Sequence, residues 1–467
     1  MAAFSLYKAL IISTMKYYRG NRFSSLAYFL TGILLCLYCF VPLFAQSQKQ
    51  DPAPIKQVAA KATPQPDRIL LTWQSDPATT QTVTWRTDNT VKAAQAEIAE
   101  ADASPLFTQY ATKQTAKTES LRINDGSSVQ YHAVEFTHLK PATLYAYRVG
   151  DGTYWSEWFQ FRTANTKPEP FSFIFLGDSQ TQLHALWSRC IRAAYAAAPQ
   201  ARFMLHAGDL VNNPEADAEW QEWFAAGSFI YATIPSLFTA GNHEYAKTLK
   251  VPHLSKYWRP QINMPQNGPG RNKEDLVYYL DYQDVRIITL NSYWGAASQV
   301  KWLEEVLKNN PRKWTVVLYH YPMYSDGRAQ FSEPLQKHWK PLFDKYKVDL
   351  VLQGHDHVYS RVRGSSDNKE KQDKNTGPVY VVSISGPKMY QFGTGTWMDR
   401  AAENSQLFQI ISVNQNKLTF KSHLVTGELY DAFELHKKPD GNSDLIEIAP
   451  EIKTERRFNN TLAPPKN

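Results

Sequence analysis

The sequence predicts an all-β sandwich followed by an α/β domain, and three observations carry that prediction. Between Asp67 and Thr163 short runs alternate apolar and polar residues with period two: ILLTWQ, QTVTWRT, VQYHAVEF, TLYAYRVG and EWFQFRT, separated by turn residues. From Phe171 onward, strand-like and helix-like segments alternate instead. Within that second part, five strand-like runs each end in Asp, Asn or His, which is where open α/β sheets place their ligands.

Residues 1–45 are read as a signal peptide. Lys8, Lys16, Arg19 and Arg22 precede an apolar stretch from Leu26 to Phe44, and Ala45 offers a small residue for cleavage. Met15 is an alternative start. The stretch is also near the length that spans a bilayer, so an uncleaved anchor is the competing reading. Cleavage makes the protein secreted or periplasmic; an anchor holds it to a membrane by its N-terminus. Cys36 and Cys39 lie in the leader with no small residue just before either, so no lipid attachment is expected. Cys190 alone remains downstream, leaving no intramolecular disulfide.

Residues 46–66 are Pro-, Ala- and Gln-rich and read as a linker. In the sandwich, 67–163, Trp73 and Trp85 are expected in the core, and LKPATLYAY carries the spacing of a tyrosine corner at Tyr145. His132 and His138 have no partner that the sequence names. ANTKPEP, 164–170, is the boundary. In the second domain, 171–436, helices are expected over 181–198, 215–230, 298–309 and 332–346. LVYYLDYQ and VRIITLNS read as a hairpin, and 365–374 as a polar loop. The tail, 437–467, is polar and Pro-bearing and is expected to be loosely held.

With 467 residues, 43% hydrophobic and 20% charged, the composition is that of an ordinary globular protein. The formal charge of +7 forms no Lys/Arg stripe interleaved with aromatics, so no nucleic-acid footprint is read. A mild positive balance is compatible with an anionic substrate.

The five strand ends supply the chemistry. FSFIFLGDSQ delivers Asp178 and Gln180; RFMLHAGDLVNN delivers Asp209 and Asn212. SLFTAGNHE delivers Asn242, His243 and Glu244; WTVVLYH delivers His320; VDLVLQGHDH delivers His355 and His357. One such ending is an ordinary turn. Five converging on metal-ligating residue types point to a metal site. His355 and His357 are two apart, which in extended backbone puts them on the same side.

The order GDxx, GDxx, GNHE, VxxH, GHxH resembles the calcineurin-like metallophosphoesterase superfamily. The sandwich ahead of it is similar to the fibronectin-type module of the purple-acid-phosphatase-like branch. The resemblance implies a four-layer αββα domain and a hydrolase of small-molecule phosphate esters using two metal ions. Two cations about 3.5–4 Å apart screen the ester's charge, lower the pKa of a water and orient in-line attack. It also implies that Asp209 bridges, that Asp178 and His357 complete one site, and that Asn242, His320 and His355 complete the other. His243 would contact phosphate and protonate the leaving group, or serve only to orient its neighbours.

Two departures from that family stand out. The purple enzymes carry an iron(III)-ligating Tyr three residues after the bridging Asp, where this chain has Asn212. Many non-purple relatives carry a His two residues after the first Asp, where this chain has Gln180. Either amide can fill the gap through its oxygen, or a water can. An Fe(III)-tyrosinate centre is therefore not expected, and a divalent Mn, Zn or Fe ion is. Glu244 is expected to orient His243 or to form an ion pair. His206 is expected near the ligands or in the core, and Tyr293, Trp294 and Tyr324 near the substrate or in loop packing. His184, His253, His338 and His423 have no motif context. The alternatives are a phosphodiesterase acting on nucleotides or lipid head groups, and a non-catalytic binding protein on a decayed phosphatase scaffold.

Overall fold

The computed structural model describes residues 61–246, 251–270, 276–325, 328–364, 377–392 and 397–457. The leader, most of the 46–66 linker and the loop at 365–374 lie outside the described residues.

The sandwich consists of two four-stranded antiparallel sheets. One orders the strands Asp67–Thr72, Gln81–Asp88, Ser128–Phe136 and Lys117–Arg122; the other orders Thr112–Thr115, Gln95–Glu100, Leu144–Gly150 and Phe159–Arg162. Their inward residues, among them Val83, Trp85, Val134, Tyr147 and Phe161, form one buried cluster, as period-two alternation requires. Trp73 and Trp85 are both buried. The Tyr145 hydroxyl accepts from the Lys140 N–H at 2.8 Å, closing the tyrosine corner. His132 is buried between Thr87 and Thr118, whose hydroxyls lie 2.8 and 2.9 Å from its two nitrogens. Thr112–Thr115 and Lys117–Arg122 escape a reading by alternation because they are edge strands with largely exposed side chains.

The second domain stacks two mixed sheets. The first is ordered Ser236–Phe238, Met204–His206, Phe171–Leu176, Leu407–Asn414, Lys417–Leu424, Leu429–Lys437 and Ser443–Glu447. The second is ordered Tyr278–Tyr282, Val285–Thr289, Trp314–Leu318, Leu350–Gln353, Val379–Val382, Tyr359–Arg363, Arg400–Ala402 and Glu455–Arg456. Phe173 and Leu205 of one sheet share a core with Val317 and Leu352 of the other. Strands covered on both faces are continuously apolar, which is why the FSFIFL, WTVVL and LVLQ runs could be read as strands. Helix Ser188–Ala197 is tied to the first sheet through the Cys190 thiol and the Leu407 carbonyl. Helix Ala296–Lys308 is tied to the second through Arg286 and the Val306 carbonyl at 3.0 Å.

Three of the expected helices are interrupted, each at an identifiable residue. The first opens with Thr181 and Gln182 in left-handed backbone and a π turn at Leu183–Trp187 before Ser188–Ala197 begins. The second splits into Asp217–Gly227 and Phe229–Thr233 at Ser228, whose φ is 45°. The third splits into Ala329–His338 and Lys340–Lys345, with Pro341 in the first turn of the second piece. The expected hairpin at Asp284 forms, Tyr278–Tyr282 pairing antiparallel with Val285–Thr289.

Over residues 437–457 the expectation of a loosely held tail is corrected; 458–467 lie outside the described residues. Ser443–Glu447 pairs with Leu429–Lys437, and Glu455–Arg456 pairs with Arg400–Ala402. Buried Arg361 and Arg400 anchor this region through Asp431, at 2.7 and 2.9 Å, and Arg361 also reaches Glu447 at 2.7 Å. A polar composition hid these strands: their side chains are mostly exposed, so neither shows apolar alternation.

The sandwich grips the second domain through a buried polar cluster. Arg68 pairs with Asp217 at 2.9 Å, and Arg86 pairs with Asp67 at 2.6 Å and Asp217 at 3.1 Å. Asp217 opens the helix that comes after the Asp209 loop, so the clamp braces the segment carrying the site. Removing one partner of a buried pair strands the other charges. Arg86→Met is expected to cost about 3 kcal/mol, read by chemical denaturation; a cost below about 1 kcal/mol would show that the cluster behaves as a solvated one.

Candidate metal centre

The C-terminal ends of the parallel strands of both sheets meet at one point, as the open-sheet rule anticipates. Asp178 follows Phe171–Leu176, Asp209 follows Met204–His206, and Asn242 follows Ser236–Phe238. His320 follows Trp314–Leu318, and His355 follows Leu350–Gln353. The structure brings ligating atoms into two groups, Asp209 with His320 and His355, and Asp178 with Asp209 and His357, each within 4.8 Å. Asp209 belongs to both. All five side chains are buried, whereas Asn242 and His243 are half-buried and form the open side.

The backbone achieves this convergence with strained turns. Asp209, His355 and His357 have φ of 51°, 75° and 51°, a conformation costing of order 1–3 kcal/mol each outside glycine. The expectation that His355 and His357 share a side through extended backbone is therefore corrected: left-handed turns aim them into different groups. Two glycines make the room. A Cβ on Gly241 would lie 2.2 Å from Asp209 Oδ1, and one on Gly354 would lie 2.4 Å from Asp178 Oδ2.

Hydrogen bonds orient the imidazoles. His320 Nδ1 donates to the Ala207 carbonyl at 2.8 Å, and His357 Nδ1 donates to the Lys388 carbonyl at 2.8 Å. In the neutral ring each bond leaves Nε2 as the lone pair facing the cluster, and a charged His320 carries its second proton there. His320 Nε2 lies 3.1 Å from Asn242 Oδ1, 3.3 Å from Asp209 Oδ2 and 3.2 Å from His355 Nδ1. Asp178 Oδ2 accepts from the His355 N–H at 2.8 Å, while its Oδ1 is buried with no hydrogen-bond partner.

The electrostatics describe a site short of positive charge. Burial pushes the Asp178 carboxyl up to about 8, against the opposing pull of His320. Burial would also raise Asp209, but His320, joined by His243, holds it well below the usual carboxylate range. His320 is drawn up to about 9, since Asp209 and Asp178 outweigh its own burial. One imidazolium thus stands between two buried carboxylates, in the position a cation would occupy electrostatically. Burial presses His355 down to about 2 and His357 to about 3, keeping both neutral as ligands must be. An orphaned carboxylate oxygen, aligned lone pairs and this charge deficit all fit a pair of cations.

The remaining expected residues divide. Gln180 sits inside the Asp178 group: its Nε2 lies 3.0 Å from Asp209 Oδ2 and 3.0 Å from His357 Nε2, and its buried Oε1 has no hydrogen-bond partner. Asn212 has an exposed side chain, and its backbone carbonyl accepts from His243 Nδ1 at 2.6 Å. The His243 N–H in turn donates to Asp209 Oδ1 at 2.8 Å.

Among the described residues Glu244 neither bonds His243 nor pairs with a cation. It is buried and accepts three backbone N–H bonds, from Asp209 and Gly241 at 2.7 Å and from Leu210 at 2.8 Å, so it pins the loop that presents Asp209. His206 packs in an aromatic core, stacked on Phe238 at 4.8 Å, and burial presses it down to about 3. Tyr324 packs its ring against Tyr380 and Trp397. Tyr293 stacks on Tyr245 at 4.4 Å, while Trp294 is 45% exposed.

Two further side chains reach the site without belonging to any motif. Arg328 Nη1 donates to His355 Nε2 at 3.0 Å, and Tyr390 stacks on His357 at 4.6 Å. Arg328 lies on a connection and not at a strand end, so nothing in its immediate sequence flags it. Tyr390 lies on the loop after Val379–Val382, a further parallel strand, and the rule that found the other five positions points to that loop too.

Comparison with known proteins gives the same two parts. Residues 66–163 match the family described as "Purple acid Phosphatase, N-terminal domain", and residues 171–359 match "Calcineurin-like phosphoesterase". The chain is 32% identical over 325 residues to probable purple acid phosphatase 20 of Arabidopsis thaliana, covering 67% of this chain and 72% of that one. It is 28% identical over 300 residues to the Fe(3+)-Zn(2+) purple acid phosphatase 12 of the same plant, covering 58% of this chain and 62% of that one. The solved structure of a purple acid phosphatase from yellow lupin seeds shares the fold, with a TM-score of 0.66 at 18% identity over 81% of this chain and 75% of that one.

Proposed function

The chain belongs to the purple acid phosphatase family of phosphoester hydrolases, and on that premise we propose that it is an exported phosphatase of small-molecule phosphate esters working with two metal ions. Asp178, Asp209 and His357 would hold one cation, with Gln180 beside them; Asp209, Asn242, His320 and His355 would hold the other. The observation that supports this most is the sharing of buried Asp209 by two groups of ligating atoms. When bound, two cations screen the ester's charge and lower the pKa of an attacking water.

The chain's own residues supply the rest. The Ala207 and Lys388 carbonyls keep His320 and His357 in the ligating tautomer. Glu244 holds the Asp209 loop, so the shared carboxylate needs no reorganisation on binding. The Asn212 carbonyl fixes His243 Nδ1–H, leaving Nε2 to carry a proton to the ester's leaving oxygen. His243 is half-buried, as a group that meets substrate must be. Export rests on the basic and apolar pattern of 1–45; among the described residues no helix is long and apolar enough to cross a membrane.

The test is turnover of an aryl phosphate monoester and of a diester, with and without chelator. The expected result is monoester turnover that chelation abolishes and Mn²⁺ or Zn²⁺ restores. No chelator-sensitive turnover with any divalent metal would favour the binding-scaffold alternative.

Colour depends on the ligand set. Asn212 offers no phenolate where the purple enzymes carry a tyrosine, so the iron-loaded protein is expected to lack a tyrosinate charge-transfer band. The Asn212 side chain is exposed, and Asn212→Tyr under oxidising iron is expected to acquire such a band where the backbone places the ring at the first site as it does in that family. A tyrosinate-type band in the unmodified protein would overturn this assignment of the first site.

A further inference from the structure

A cavity of about 240 Å³ opens beside the two histidines of the GHDH turn, lined by Arg328, Tyr390, Phe392, Trp397 and Met398 among others. We propose that it receives a single-ring organic leaving group of the phosphate ester, with Arg328 at its mouth pairing with the phosphoryl oxygens; this rests on the phosphatase reading above.

Continuity with the metal centre carries the proposal. Tyr390 lies between the cavity and His357, its ring stacked on the imidazole at 4.6 Å and 15° and its N–H bonded to the His357 carbonyl at 3.1 Å. Arg328 spans the cavity and His355: Nη1 is 3.0 Å from His355 Nε2, and the guanidinium carbon is 5.0 Å from the Tyr390 ring centre. A group in the cavity is thus one side chain away from both histidines.

Size and chemistry select the occupant. An apolar cavity of about 150 Å³ holds benzene; this one is larger and also presents Arg328, Asp356, Ser360 and Gln391, so it accommodates a ring with small polar substituents. Tyr390 already packs against His357 and Arg328, and Phe392 against Arg457, so Trp397 is the wall that favours an aromatic ring, and Met398 adds a polarizable, adaptable one. The guanidinium fork of Arg328 matches phosphate oxygens.

Arg328 also has a reason to let go of His355. Its N–H points at an Nε2 lone pair. A neutral His355 that ligates through Nδ1, the nitrogen facing His320, carries its proton on Nε2 and can no longer accept from Arg328. Asp356 Oδ1 already lies 3.8 Å from Nη1 and the side chain is 31% exposed, so an arriving phosphoryl group competes with that carboxylate for the guanidinium.

The experiment compares phenyl phosphate with methyl phosphate as substrates, and measures binding of phenylphosphonate, methylphosphonate and inorganic phosphate to the metal-loaded protein by calorimetry. Trp397→Ala is expected to lower kcat/KM for phenyl phosphate, and affinity for phenylphosphonate, roughly tenfold more than for the methyl compounds. Met398→Trp, which fills the cavity instead of enlarging it, is expected to shift the ratio the same way. Arg328→Ala is expected to weaken inorganic phosphate roughly tenfold or more and to lower both esters alike. An unchanged phenyl-to-methyl ratio in both cavity variants overturns the leaving-group assignment, and unchanged phosphate affinity in Arg328→Ala overturns its role. Should the unmodified protein turn over neither ester, the phosphatase reading fails, while phenylphosphonate binding still reports on the cavity by itself.

Discussion

Asp209→Ala is expected to purify without either tightly held metal and to lose roughly three orders of magnitude or more in turnover, because each cation contributes several kcal/mol and about 1.4 kcal/mol is tenfold. The reason is geometric: Asp209 is the one residue common to both groups of ligating atoms. Asn242→Ala is expected to behave differently. Asn242 Oδ1 lies 3.1 Å from His320, a member of the His355 group, so its loss should weaken one equivalent and spare the other. Elemental analysis of the two purified variants separates the cases. Two retained equivalents in the Asp209 variant would show that the bridge is assigned to the wrong residue.

His243→Ala is expected to fold, retain metal and lose about 10²–10⁴-fold in turnover of esters with poor leaving groups. The loss should shrink where the departing oxygen needs no proton. Fixed through Nδ1 to the Asn212 carbonyl, with its N–H on Asp209 Oδ1, the ring has one nitrogen left for substrate. A loss of equal size across leaving groups would assign His243 to phosphate binding or to orienting Asp209. The Asp209 N–H and the Leu210 N–H are held by Glu244 and not by His243, so the loop that presents Asp209 should survive the substitution.

The positions of the site were legible because each lies where an apolar, doubly covered strand gives out. Phe171–Leu176 or Trp314–Leu318 cannot be mistaken for a surface strand, and the residues just past such a strand must turn at the sheet's ligand-binding end. Three things could not be read the same way. The left-handed turns at Asp209, His355 and His357 depend on glycines and partners distant in sequence, so the sharing of ligands between two groups is a tertiary property. Glu244 looks like a partner for its neighbour His243 but bonds back to the loop 34 and 35 residues earlier. His206 lies on the strand that leads to Asp209, yet its ring faces Trp223, Tyr231 and Phe238, elements whose packing no local pattern reveals. The same holds for the edge strand Lys117–Arg122 and the tail strand Ser443–Glu447, which have little apolar signal to read.

The most direct test of a two-metal hydrolase is a titration of metal-free protein with Mn²⁺ or Zn²⁺, tracking bound metal and aryl phosphate turnover in the same samples. Binding to two equivalents is expected, with most turnover appearing as the second is filled and both lost together in Asp209→Ala. Full turnover at one equivalent, or two bound equivalents with no turnover of any phosphate ester, would contradict a two-metal mechanism.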